Sequence, residues 1–193
     1  AAWVSASCPR HSSLAALPLV AASRRLDASP RCGKTAAVDN VLALVGCGPR
    51  LEVALTGTHA AEPGMVVLVG PVPRSELIMA AVDLLLRSAE LRPADLGAVV
   101  ATRGPGSFTG IRVTLATAQG LAEALHVPAW GVPSLLVQAA RCAAGECLAA
   151  QPARRGHLYV QRFRCGDALP EPLSDLAIAT IEEVARSPLP VVA

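Results

Sequence analysis

The sequence predicts an α/β fold, a mixed sheet with helices packed on it. Three observations carry that expectation. Three short apolar stretches follow one another between Val41 and Val69 with only turn residues between them. From Gly70 on, apolar strands alternate with long amphipathic helices. The chain has 193 residues, 52% of them hydrophobic, enough to bury a core without disulfide staples.

Val41-Leu42-Ala43-Leu44-Val45 is a continuous apolar run that stops at Gly46-Cys47-Gly48-Pro49, a strand followed by a tight turn. Leu51-Glu52-Val53-Ala54-Leu55 alternates as a half-buried strand does. Met65-Val66-Val67-Leu68-Val69 is a third strand, closed by Gly70-Pro71. Short connections make these three an antiparallel meander.

A helix is expected from about Arg74 to Leu91. At 100° per residue, Leu77, Ile78, Ala81, Leu84 and Leu85 form one apolar stripe, and Met79, Val82 and Leu86 form a second beside it. Two stripes exceed what one core requires. Leu77, Leu84 and Leu85 are assigned to the core, and Met79, Val82 and Leu86 to a partner.

Leu96 to Ala101 reads as a buried strand leading into Gly104-Pro105-Gly106-Ser107-Phe108-Thr109-Gly110 and a helix to about His126. One face of that helix is small: Val113, Ala116, Thr117, Gly120 and Ala124. Small residues let another helix approach closely. A short strand at Pro128–Gly131 and a helix from Ser134 to about Arg141 complete a first unit, residues 39–145. Residues 146–193 start a second unit, expected to be truncated. Its elements are strands at Glu146–Ala150 and His157–Phe163, a helix near Ile178–Arg186 and a strand at Leu189–Val192.

Residues 1–38 differ. They hold Arg10, Arg24, Arg25, Arg31 and Lys34 against one acid, Asp27, with many Ser and Ala and no strand alternation. They are expected to be a disordered extension. An upstream-translated stretch and a transit peptide are the alternatives such a composition leaves open.

Composition excludes several functions. A net charge of +2 is too small for a polybasic nucleic-acid binder, and 3% aromatics argues against a stacking-type single-strand binder. No apolar run approaches the ~20 residues of a membrane span. The six cysteines form no CxxC, and no histidine lies at metal-ligand spacing, so they are expected to be reduced thiols and no metal site is assigned. The histidines are scattered and give no catalytic constellation, so no catalytic residue is assigned.

The loop Gly104–Gly110 is the chemically pointed segment. Glycines admit close backbone approach, and a helix N-terminus attracts anions. Gly104, Gly106, Ser107, Thr109 and Gly110 are therefore candidate anion-binding residues. The spacing is neither a P-loop nor a dinucleotide fingerprint, so a structural turn and cap stays open beside a phosphate cradle.

Ala101-Thr102-Arg103-Gly104-Pro105-Gly106-Ser107-Phe108-Thr109-Gly110-Ile111-Arg112, running on into Leu115-Ala116-Thr117-Ala118-Gln119-Gly120-Leu121-Ala122, resembles the TsaB (YeaZ) family. That family lies in the larger Gcp/TsaD, or glycoprotease, superfamily. Weaker likeness extends over residues 40 to 193. The resemblance implies an actin-like ATPase (ASKHA, ribonuclease H-like) fold, in a cytoplasmic protein with no catalysis of its own. It implies a partner of TsaD, acting with a TsaE-like ATPase in the N6-threonylcarbamoylation of adenosine in tRNA. ATP and metal are then expected on TsaD, and tRNA is touched only indirectly. The same helices would serve a homodimer. Three departures favour the non-catalytic role. The first strand ends in Val45 where an ASKHA enzyme carries an aspartate, and valine cannot ligate Mg²⁺. Arg74 and Leu77-Ile78 stand where TsaD proteins have paired metal-binding histidines, and Pro152 stands where relatives often have Asp. The alternatives are an ATP-binding ASKHA enzyme, a Gcp-like peptidase, or a degenerate paralogue.

Overall fold

The computed structural model describes residues 39–57 and 64–193, so the expectations for residues 1–38 lie outside the described residues. The three expected strands form: β1 (Val41–Val45), β2 (Leu51–Thr56) and β3 (Gly64–Leu68). β2 pairs antiparallel with both neighbours, Leu44 opposite Val53 and Val53 opposite Val66. Then follow α1 (Arg74–Ser88), β4 (Ala98–Thr102), α2 (Phe108–Leu125) and β5 (Ala129–Val132). β4 joins β1 in parallel and β5 joins β4 in parallel, giving a mixed sheet in the order β3-β2-β1-β4-β5.

The two-residue side-chain period sorts this sheet into two cores. Leu42, Leu44, Val53, Leu55 and Val99 face α1 and α2. Val41, Ala43, Ala54 and Val100 face the other way, against Val137 of α3 (Ser134–Ala139). β1 is buried over its whole length because both faces are covered.

α3 also faces a second sheet. Its Leu135 and Ala139 pack with Cys147, Ala149 and Phe163. That sheet contains β6 (Gly145–Pro152), β7 (His157–Cys165), β8 (Glu171–Pro172), β9 (Ala177–Thr180) and β10 (Val191–Val192). One short helix serves two cores. Just beyond its end, Arg141 donates to both carboxylate oxygens of Glu52 on β2, at 2.9 and 3.0 Å. Both side chains are largely buried, so the pair joins the second half to the first sheet.

Two expectations change. Ile178 lies in strand β9, not in a helix; the helix, α4, is only Ile181–Ala185. Thr180 starts it with a capping box, its hydroxyl accepting from the Glu183 N–H while the Glu183 carboxylate accepts from the Thr180 N–H. The second correction concerns α1. Val82 and Leu86, assigned to a partner, are 2% and 5% exposed and belong to the core. Leu84, assigned to the core, is 57% exposed. The buried set is Ile78, Ala81, Val82, Leu85 and Leu86, the i, i+3, i+4, i+7, i+8 pattern of a single stripe. Met79 is exposed at 50%, as expected.

Candidate functional site

The glycine loop sits where the C-terminal ends of β1 and β4 meet the start of α2. It is clamped onto the turn after β1. The Ser107 N–H donates to the Cys47 carbonyl at 2.7 Å, and the Ser107 side chain caps α2 by accepting from the Gly110 N–H at 3.3 Å. The contact is too close for side chains. A Cβ on Gly106, whose φ is +149°, would lie 2.3 Å from the Cys47 carbonyl oxygen; one on Gly110 would lie 1.9 Å from that of Gly46. These two glycines are accounted for by backbone meeting backbone. The Ser107 and Gly110 amides, part of the expected cradle, are occupied within the protein.

Around the clamp the polar groups form a closed set. Thr102, fully buried at the end of β4, accepts from the Cys47 thiol at 3.0 Å and from the Gly46 N–H at 3.3 Å. Burial raises the Cys47 thiol above its ordinary value, and bonds to Thr102 and the Gly104 backbone, with Arg74 nearby, pull it partly back. The Arg74 guanidinium donates to the Gly48 carbonyl, and the Ser134 hydroxyl donates to the Pro105 carbonyl. A thiol, two hydroxyls and a guanidinium thus hold the strand ends together, and Val45 leaves no carboxylate at the end of β1.

The loop borders a cleft of about 840 Å³ that reaches the second sheet. Ser107 and Thr109 line it with Gly106, opposite Arg154 and Tyr159. Of the candidate loop residues, Gly104 is buried beneath and Gly110 faces Gly46. Two arginines, Arg74 and Arg154, lie in the lining, and among the described residues no Asp, Glu or His does. The exposed ring of Phe108 is also on this lining, with the Arg112 guanidinium 5.4 Å from its centroid. With two guanidiniums and no carboxylate among its described lining residues, the cleft suits an anion by charge. Sequence reasoning missed Arg74, Arg154, Phe108 and Tyr159 as members of one cleft because they come from three separate segments.

A second surface lies on the outer side of α1 and α2. Ala116, Gly120 and Ala124 are exposed, Val113 and Thr117 half-buried, and among the described residues a Cβ on Gly120 would meet nothing within 4 Å. Met79 and Leu84 are exposed on α1. Leu84, not Val82 or Leu86, is exposed; it stands two residues from each, about 200° around the helix, so it lies on the opposite side from these core residues.

A family model, TsaD: tRNA N6-adenosine threonylcarbamoyltransferase, matches residues 58–190, more than half of the chain. An uncharacterised protein of Mycobacterium leprae is 35% identical over 156 residues, covering 79% of this chain and 42% of that protein. The tRNA threonylcarbamoyladenosine biosynthesis protein TsaB of Bacillus subtilis is 36% identical over 95 residues, 48% of this chain and 42% of that protein. The chain thus spans less than half the length of these two relatives in the matched regions. Among solved structures, YeaZ from Pseudomonas aeruginosa superposes with a TM-score of 0.67 at 27% identity, covering 74% of this chain and 68% of that one. The chain belongs to the TsaD family, on its TsaB (YeaZ) side, and has the actin-like ASKHA architecture of that family.

Proposed function

We propose that this member of the family is a non-catalytic TsaB-like subunit that supports a TsaD-like threonylcarbamoyltransferase in forming N6-threonylcarbamoyladenosine in tRNA. The observation that carries this reading is the uncovered face of α1 and α2. Leu84 lies exposed on the flank of α1 that carries Leu77, the side where Leu77 and Val113 of α2 line one pocket, and the small residues Ala116, Gly120 and Ala124 admit the close approach of another helix. The partner supplies the carboxylates and histidines that the cleft lining lacks, and with them the metal, the ATP and the transfer chemistry. A TsaE-like ATPase completes the assembly, and tRNA is contacted through TsaD. Among the described residues no helix is long and apolar enough to cross a membrane, in keeping with a cytoplasmic assembly. A homodimer through the same helices is the state expected when TsaD is absent.

The test is co-purification of the chain with a TsaD-like protein, compared with its Leu84→Glu variant. Leu84 is exposed, so the variant keeps its melting temperature. In the complex the new charge is desolvated without a partner, which weakens binding by at least tenfold. Normal binding by Leu84→Glu refutes docking on this face.

One observation favours a second reading, an ATP-binding ASKHA enzyme: Arg74 and Arg154 line a cleft beside a helix N-terminus. Titration of the isolated chain with ATP and a phosphate-release assay separate the two. Turnover by the isolated chain contradicts the non-catalytic reading.

A further inference from the structure

Cys142, Cys147 and Cys165 come from three elements: the turn after α3, strand β6 and the last position of β7. The antiparallel register sets Cys147 opposite Phe163 and Cys165 opposite Gly145. Cys147 and Cys165 are therefore diagonal neighbours on one face of the sheet. α3 covers that face through Leu135 and Ala139, and Cys142 closes the third side. The Cys147 and Cys165 sulfurs are 3.5 Å apart, and all three sulfurs lie within 4.8 Å of one another.

One ion with metal–sulfur bonds of about 2.3 Å holds its thiolates about 3.8 Å apart at tetrahedral angles and about 4.0 Å apart in a trigonal plane. The 3.5 Å Cys147–Cys165 spacing lies within about 0.5 Å of both values, and neither of the other two spacings exceeds 4.8 Å. Access exists as well. A pocket of about 330 Å³, lined by Arg141, Cys142, Cys165, Gly166 and Asp167, opens beside the cluster. Arg141 lies on this wall with its guanidinium paired to Glu52, and among the described residues its buried Nε–H has no acceptor. Cys147 is fully buried, Cys165 nearly so, and Cys142 half-exposed at the mouth.

We propose that Cys142, Cys147 and Cys165 form a three-thiolate site for one thiophilic d¹⁰ cation. Thiolate donors select ions of this class, Zn(II) and Cu(I), over hard cations. On binding, three S–H bonds break, three metal–sulfur bonds form and three protons pass to solvent. The site carries one net negative charge with Zn(II) and two with Cu(I). Zn(II) takes its fourth ligand, a water, from the pocket; Cu(I) needs none. Burial raises the Cys147 and Cys165 thiols, so protons compete strongly and affinity climbs with pH.

The test is anaerobic titration of the full chain, reduced, with Zn(II) and separately with Cu(I), each against a competing chelator. One equivalent of either ion should bind, with a rise in melting temperature and tighter binding at higher pH. Cys142→Ser, at the half-exposed position, should fold normally and bind at least tenfold more weakly. A Cys8→Ser/Cys32→Ser double variant and Cys47→Ser should bind as the parent does. Saturable binding of one equivalent with this cysteine dependence supports the site, and the ion that competes better against its chelator identifies the occupant. Absence of saturable binding overturns it, as does binding indifferent to Cys142→Ser. A Cys147–Cys165 disulfide that forms in air and is found in the isolated protein overturns it too, because a bonded pair cannot ligate.

Discussion

Helix α2 uses glycine twice, for opposite reasons. At its N-terminus Gly110 presses on the Gly46 carbonyl so closely that an added Cβ would lie 1.9 Å from that oxygen. At its middle, Gly120 is exposed, with nothing among the described residues within 4 Å of the same added atom. The first close approach is already made within the chain. The second is offered to something outside it. One residue type in one helix thus marks a finished contact and an unfinished one, and only the surroundings tell them apart.

The largest test of this contrast compares the finished and unfinished faces of α1. Val82 is 2% exposed against the first core and Leu84 is 57% exposed. Val82→Glu buries a charge with no partner, a cost of several kcal/mol. The melting temperature should fall by on the order of 10 °C or more, whereas Leu84→Glu should stay within about 2 °C of the parent. Equal melting of the two variants would erase the distinction between the faces.

A smaller effect is expected at the clamp. Gly110→Ala forces the loop and the β1 turn apart and should cost about 1–3 kcal/mol by overpacking, read by urea denaturation. A change within experimental error would mean that the turn yields freely. The smallest effect has the opposite sign. Gly120→Ala should stabilise the free chain by about 0.5–1 kcal/mol, since alanine suits a helix interior better than glycine. The same change should weaken binding to a TsaD-like partner, because a methyl group then stands where backbone must approach. Stabilisation with undiminished binding would place the partner away from Gly120.

The strands of the first sheet were legible because β1 and β4 are continuous apolar runs and β2 alternates, patterns that survive without knowledge of neighbours. The direction of the α1 stripe was not. Leu77, Ile78, Leu84 and Leu85 all fit an apolar arc, and only the sheet beneath selects Ile78 and Leu85 over Leu84. The Thr180–Glu183 capping box was visible as a Thr-x-x-Glu signal, and it would have ended β9 at the right place. The glycine loop was legible as a feature, while its packing on Gly46 and Cys47 was not, since that contact spans about 60 residues of sequence. The cysteine cluster was hidden for the same reason. Separations of 5 and 18 residues match no ligand spacing, and it is the register of β6 against β7 that closes them.

The lining of the cleft between the glycine loop and the second sheet has a further consequence, for its response to acidity. Arginine stays charged throughout the accessible range, and the thiol of Cys47 is raised by burial. No carboxylate or imidazole is among its described lining residues, and the neighbouring imidazole is His157, whose Nδ1 lies 3.2 Å from the Arg154 carbonyl oxygen. With His157 replaced by glutamine, the cleft should present nearly the same field from about pH 6 to about pH 8. An anion entering it would then report its own ionisation. A phosphate monoester, with a second pKa of about 6, should bind more tightly as pH rises through that value. A sulfate ester, already fully charged, should bind equally at both ends of the range.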